Sequence, residues 1–147
     1  MNKKESALMD LKNGFNCAQA VSSAFSEDFG INKEQTAKMA CVLGAGMARS
    51  GEVCGAVSGA FMVIGMKYGS SKPQDTASKE KSYEMGVKFK NIFEAKHGTV
   101  MCRKLINTDI STPEGLKAAR AKGVFENICT ELVKDSVEIL EGILKDK

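Results

Sequence analysis

The sequence predicts an all-α protein: a compact bundle of about six to eight helices in one domain spanning residues 1–147. Three observations carry this. Apolar residues recur at three- and four-residue spacing along most of the chain. Asn, Ser and Thr stand ahead of these stretches as caps, while Gly ends them and the only two prolines, Pro73 and Pro113, open them. Strand signals are weak, because β-branched residues such as Val63 and Ile64 fall inside a helical period.

The elements follow in order. Lys4 to Lys12 places Leu8 and Leu11 on one face and stops at Gly14. Asn16 caps a second helix with Cys17, Ala20, Val21, Ala24 and Phe25 on one side, closed by Gly30. Asn32 caps a third, with Ala37, Ala40, Cys41 and Gly44 aligned. Ser50 is expected to cap a fourth helix running to about Tyr68. Gly69 to Pro73 reads as a linker. A long fifth helix is expected from about Pro73 to Lys96, with a core stripe of Tyr83, Val87, Ile92 and Phe93, and Met85 and Phe89 beside it. Gly98 ends it. Thr99 caps a short helix holding Cys102, Leu105 and Ile106. Thr112-Pro113-Glu114 opens another, stopped at Gly123. Phe125 to Cys129 reads as a connector. Thr130 caps a last helix striped by Leu132, Val133, Val137, Leu140, Ile143 and Leu144.

Bulk properties narrow the function. The 147 residues suit one domain, which buries roughly 68–70% of its unfolded surface. A net charge of +3 with dispersed basic residues speaks against nucleic acid as a partner. No apolar run approaches the ~20 residues that span a bilayer. Charged residues near the start are followed by no apolar signal segment, so a cytoplasmic location is expected. There the five cysteines, at positions 17, 41, 54, 102 and 129, are not expected to be standing disulfides. No CxxC pair and no CxxCH haem attachment site occurs.

The richest stretch is Gly44 to Gly59, which holds five of the fourteen glycines. Its first part reads as a close-approach loop. Its second reads as a helix whose face of Gly55, Ser58, Gly59 and Met62 is almost bare. Glycine inside a helix costs about 1 kcal/mol relative to alanine, so a close backbone or a bound group is expected there. The loop matches neither GxxxxGK[ST] nor a GxGxxG turn after a strand, which argues against nucleotide binding.

Four of the five cysteines, Cys17, Cys54, Cys102 and Cys129, fall at predicted helix N-termini. Unpaired N–H donors and the positive dipole end there stabilise thiolate, the form that attacks disulfides and binds soft metals. Cys41 falls in the second half of its helix and is expected to be core. Arg49 and Glu52 flank Cys54; an ion pair or a cap is the simpler role for each. His97 stands at a helix C-terminus, where a protonated ring favours the dipole. Tyr68 is expected in the core.

The residues Asn16 to Val21, Gly46-Met47, Arg49 to Glu52, Cys54 to Gly59, Lys67 to Gly69, Cys102 to Leu105, and Cys129 ahead of the last amphipathic helix resemble one family. It comprises small helical proteins named for a C, GCAxxG, C, C cysteine pattern and regarded as redox-active. The resemblance maps that pattern onto Cys17, Cys54, Cys102 and Cys129 and omits Cys41. It implies an oxidoreductase or electron carrier working with a redox partner protein. Related modules are joined to c-type haem domains, for which this sequence has no attachment site.

Three readings of the four cysteines follow. They are the ligands of an iron–sulfur cluster or zinc, with Gly51, Gly55, Gly59 and Arg49 as neighbours that admit backbone and charge to the sulfurs. Or they do thiol–disulfide exchange, with Cys54 as the low-pKa nucleophile and one of the other three resolving it. Or they are core residues of a helical interaction protein whose Gly55/Ser58/Gly59 face packs on another helix, as in a homodimer. The first is preferred.

Overall fold

A computed structural model describes residues 1–145. The elements are α1 (Lys3–Lys12), α2 (Cys17–Ser26), α3 (Lys33–Ala40), α4 (Gly44–Met47), α5 (Gly55–Tyr68), α6 (Thr76–His97), α7 (Cys102–Leu105), α8 (Pro113–Ala121) and α9 (Val124–Ile143). Short 3-10 turns follow α2 and α3. Among the described residues the sole extended pairing is an isolated antiparallel bridge between Val53 and Met101. The chain is all-α, as the periodicity predicts. No helix among the described residues is long and apolar enough to cross a membrane.

Helix α5 is central and packs on α2, α6 and α9. The main core joins Val21 and Phe25 of α2, Val57 and Val63 of α5, Phe89 and Phe93 of α6, and Val133, Val137 and Leu140 of α9. A smaller cluster of Cys102, Ile106, Ile110, Ala119, Val124 and Cys129 lies under α7, α8 and the start of α9. Cys17 packs against both clusters, so it marks where the two cores meet.

The caps at Asn16, Asn32 and Thr112 form as the sequence indicates, and Asn2, not anticipated from the sequence, caps α1. Asn16 and Gln19 make a reciprocal capping box, and the Asn16 Nδ2 also donates to the Cys41 carbonyl at 2.8 Å. That second bond ties α2 to the end of α3.

Several expectations are corrected. Helix α3 ends at Ala40, and Cys41 begins the 3-10 turn, exposed rather than in the core. Ser50 does not cap α5, which starts at Gly55 with Cys54 in the cap position. Residues 51–54 instead bond to 100–103, with Gly51 left-handed at the start of the segment: Cys54 N–H donates to the Val100 carbonyl, Cys102 N–H to Glu52, and Arg103 N–H to Gly51. Helix α6 starts at Thr76, capped by Asp75, and Pro73 lies in the turn before it. Helix α7 is capped by the Met101 position, while the Thr99 hydroxyl accepts from the Met101 N–H. Helix α9 starts at Val124, so Phe125 to Cys129 is helical and the Thr130 hydroxyl donates back to the Glu126 carbonyl. On α6 the buried residues are Met85, Phe89 and Phe93; Tyr83, Val87 and Ile92 are exposed. Tyr68 is half-buried against the main core.

Between α3 and α5 the backbone turns the wrong way. Ala45, Gly46, Met47, Ala48 and Arg49 are consecutively left-handed, with φ of 55°, 68°, 69°, 56° and 65°. Four of these carry a Cβ, and the left-handed helix costs roughly 1–2 kcal/mol per such residue. Bonds from Ala48 N–H to Val42 and from Glu52 N–H to the Gly46 carbonyl hold the turn closed. Such strain persists only where its surroundings over-determine it, and it gathers at functional sites.

Candidate functional site: a cavity of four cysteines

Cys17, Cys54, Cys102 and Cys129 all line one cavity of about 280 Å³. Four separate elements deliver them. Cys17 is the first residue of α2, Cys54 the cap of α5, Cys102 the first residue of the one-turn α7, and Cys129 lies in the second turn of α9. Three of the four therefore sit at helix starts, as predicted. Cys129 does not, because α9 begins seven residues earlier than the cap signal at Thr130 implies.

Glycine makes the convergence possible. A Cβ on Gly46 would stand 2.7 Å from the Cys102 Cβ and 2.8 Å from the Glu52 nitrogen. A Cβ on Gly55 would stand 2.9 Å from both the Cys17 Cβ and the Ala18 nitrogen. On Gly59 it would stand 2.8 Å from the Ala18 carbonyl oxygen. The bare face of α5 is thus spent inside the chain, where α2 lies directly against it. The Ser58 hydroxyl donates to the Leu43 carbonyl at 2.9 Å, so this face is not open to a second copy. Gly51, with φ +71°, sits beneath Arg103 rather than on the cavity wall. Sequence reasoning missed Gly46, whose signal is its place in the Gly44-Ala45-Gly46 run.

The thiols are electrostatically unlike. Burial pushes Cys54 up to about 12, although the backbone N–H groups of Ala56 and Val57 pull the other way. Burial also pushes Cys102 up to about 11. Cys17 and Cys129 act on one another: the Cys129 side chain raises Cys17 well above the usual range, and Cys17 lowers Cys129. The expectation of a low-pKa Cys54 is therefore corrected: desolvation outweighs the helix start, and Cys129 is the acidic member of the set.

The remaining walls are apolar, including Phe15, Ile110 and Leu116. Only Arg49 and Arg120 bring charge to the lining. Arg103 is engaged elsewhere: its guanidinium donates to the Ser50 carbonyl at 2.8 Å and lies 3.4 Å from a Glu52 carboxylate oxygen. Glu52 thus pairs with Arg103, not with Arg49. His97 is outside the cavity, with its Nε2 2.9 Å from buried Asp135 on α9 but without hydrogen-bond geometry, and Lys96 is 2.9 Å from the other carboxylate oxygen. Among the described residues, no group of three or more His, Cys, Asp or Glu side chains is arranged to hold a metal ion. All five cysteines are free thiols.

No curated protein and no solved structure matches the chain. A family profile matches residues 15–143, reaching from the cap of α2 through α9 and so over all four cavity cysteines. The chain belongs to that family, whose description reads "Putative redox-active protein (C_GCAxxG_C_C)".

Proposed function

We propose that the chain is an electron carrier whose Cys17, Cys54, Cys102 and Cys129 hold an iron–sulfur cluster. One observation carries the reading: four thiols from four separate elements line a single cavity of about 280 Å³. Among the described residues no three of them are gathered as a single metal ion requires. That disfavours zinc, which gathers its four ligands on one ion, and suits a cluster, whose cysteine ligands are spread over two or more irons.

The surroundings fit the same group. Gly46 and Gly55 leave the space that their missing Cβ atoms would fill. The Ala56 and Val57 N–H groups favour the Cys54 thiolate, and nearby backbone donors of this kind tune potential. Arg49 and Arg120 set positive charge against the negative charge of bound thiolates. Phe15, Ile110 and Leu116 keep bulk water back. A bound cluster supplies one-electron chemistry and deprotonates its thiols outright, whatever their pKa in its absence.

The test is anaerobic reconstitution with iron and sulfide. Visible absorption with stoichiometric iron and sulfide is expected in the native protein and in Cys41→Ser. Serine at position 17, 54, 102 or 129 should lose or alter it. A colourless, iron-free product from folded native protein overturns the proposal.

A second reading rests on Cys17 and Cys129 lining the same cavity and shifting one another's thiols in opposite directions. In it the Cys129 thiolate attacks an acceptor disulfide, one acceptor sulfur leaves as a thiol, and Cys17 resolves the mixed disulfide. The pair ends oxidised and the acceptor ends as a dithiol. A Cys17–Cys129 disulfide that resists cluster loading and cycles with a dithiol reductant favours this reading.

A further inference from the structure

We propose that the outer groove between α5 and α6 is a homodimer interface, formed by two α6 helices packed antiparallel across a twofold axis between Gly86 and Val87. This surface lies outside the cysteine cavity and does not depend on what that cavity binds.

The first observation is the groove. It encloses about 570 Å³ and is lined by Phe61, Ile64, Gly65, Tyr83, Gly86 and Val87, with Ser82 and Lys90 at its edge. Tyr83 is 62% exposed, Val87 56% and Phe61 42%. Contiguous apolar surface of this kind on a small protein marks a contact. Its floor is open: a Cβ at Gly65 would meet nothing within 4 Å, and one at Gly86 only the Phe61 ring edge at 3.9 Å. Glycines at a seam let a second helix come close. The sequence places Tyr83 and Val87 on the core stripe of α6, yet the chain's own core takes Met85, Phe89 and Phe93 instead. The stripe expected to be buried is left for something else.

The second observation says what that is. Lys79, Tyr83, Gly86 and Lys90 recur at the four-three-four spacing of a coiled-coil seam. In an antiparallel pair centred between Gly86 and Val87, Lys79 of one copy faces Glu94 of the other. Tyr83 faces Lys90, and Gly86 faces Val87. Each facing pair is attractive or sterically matched, and the twofold axis repeats each one. The pieces are already poised in the single chain. Lys79 lies 5.7 Å from the centre of the Tyr83 ring, and Lys90 is bonded to Glu94 at 2.7 Å. Pairing two copies extends these into a row of Lys79, Tyr83, Lys90 and Glu94 across each side. The Tyr83 ring then takes a cation from each copy, while Val87 of the second copy drops into the opening beside Gly65. A parallel pairing would set Lys79 against Lys79 and Glu94 against Glu94.

Sedimentation velocity of the full chain in reducing buffer, which removes any disulfide through exposed Cys41, tests this. A concentration-dependent dimer is expected. Val87→Glu should raise the dissociation constant about tenfold or more, as for a buried interface anchor. Lys79→Glu should weaken the dimer by placing two carboxylates opposite each other, and the Lys79→Glu/Glu94→Lys double variant should recover it. All these residues are at least partly exposed, and circular dichroism should be unchanged. A monomer at every accessible concentration overturns the proposal and leaves the groove to a different protein. A dimer indifferent to Val87→Glu, or a double variant no better than Lys79→Glu alone, overturns it too.

Discussion

Gly46 lies so close to Cys102 that a Cβ on the glycine would stand 2.7 Å from the cysteine Cβ. The left-handed turn and the start of α7 are therefore one unit. The cavity keeps its shape only while residue 46 has no side chain. Gly46→Ala is expected to destabilise the protein by about 2–3 kcal/mol, from the clash and from the positive φ together. Gly142→Ala is the control. It lies in α9 with nothing within 4 Å of its would-be Cβ, and should stabilise by about 0.5–1 kcal/mol. Chemical denaturation of the two variants checks both signs.

Ala48 carries the same backbone strain without a clash to relieve. It is exposed at φ 56°. Ala48→Gly should therefore stabilise by about 0.5–1 kcal/mol, less than the full left-handed cost because glycine also frees the unfolded chain. A loss of stability in this variant would show that residue 48 carries no left-handed strain for glycine to relieve.

In the reduced, metal-free protein the thiols should react in a fixed order. Exposed Cys41 goes first, Cys129 next, and Cys54 and Cys102 last, since burial holds those two near 12 and 11. Iodoacetamide labelling near neutral pH, read by peptide mass spectrometry, gives the order. Cys17→Ala should slow Cys129, because the side chain that lowers it is then gone. Labelling of Cys54 ahead of Cys129 would restore the nucleophile to the α5 cap.

The same burial makes stability pH-dependent. Cys54 and Cys102 ionise near their ordinary value of 9.0 when unfolded but only at about 12 and 11 when folded. Above pH 9 the unfolded state has released protons that the folded state still holds, so stability falls with rising pH. It is fully present below pH 9 and lost progressively toward 11–12. Cys54→Ser should flatten that decline in metal-free protein, as measured by urea midpoints from pH 8 to 11.

Asn16 holds two elements at once, accepting from Gln19 N–H at 2.9 Å and donating to the Cys41 carbonyl at 2.8 Å. Asn16→Ala should cost about 1–2 kcal/mol, the loss of a cap plus one bond to another element. It should also weaken iron retention, because Cys17 follows directly. Asn16→Asp keeps the cap and loses only the donor, so it should fall between the two in both measurements.

Much of this was legible in the sequence. Asn16, Asn32 and Thr112 mark helix starts because a cap acts within three residues of itself. The stripe Leu132, Val133, Val137, Leu140 and Ile143 reads as buried and is buried, since one face of an amphipathic helix has one place to go. Gly55 and Gly59 read as a close approach and sit against α2. The four cavity cysteines were separable from Cys41 by their pattern alone. What failed were boundaries and faces set by distant partners. Ser50 looks like a cap, but the segment after it is bonded to residues 100–103, some fifty positions away. Tyr83 and Val87 look like core, but the rotation of α6 is fixed by Phe89 and Phe93 packing under α5 and α9.

The sequence by itself determined the all-α class and the caps at Asn16, Asn32 and Thr112, because those depend on neighbours within a turn or two. Only the tertiary structure decided that the four family cysteines share one cavity, that Cys129 rather than Cys54 is the acidic thiol, and that residues 45–49 run left-handed. Convergence, desolvation and sustained backbone strain each depend on what packs from elsewhere in the chain.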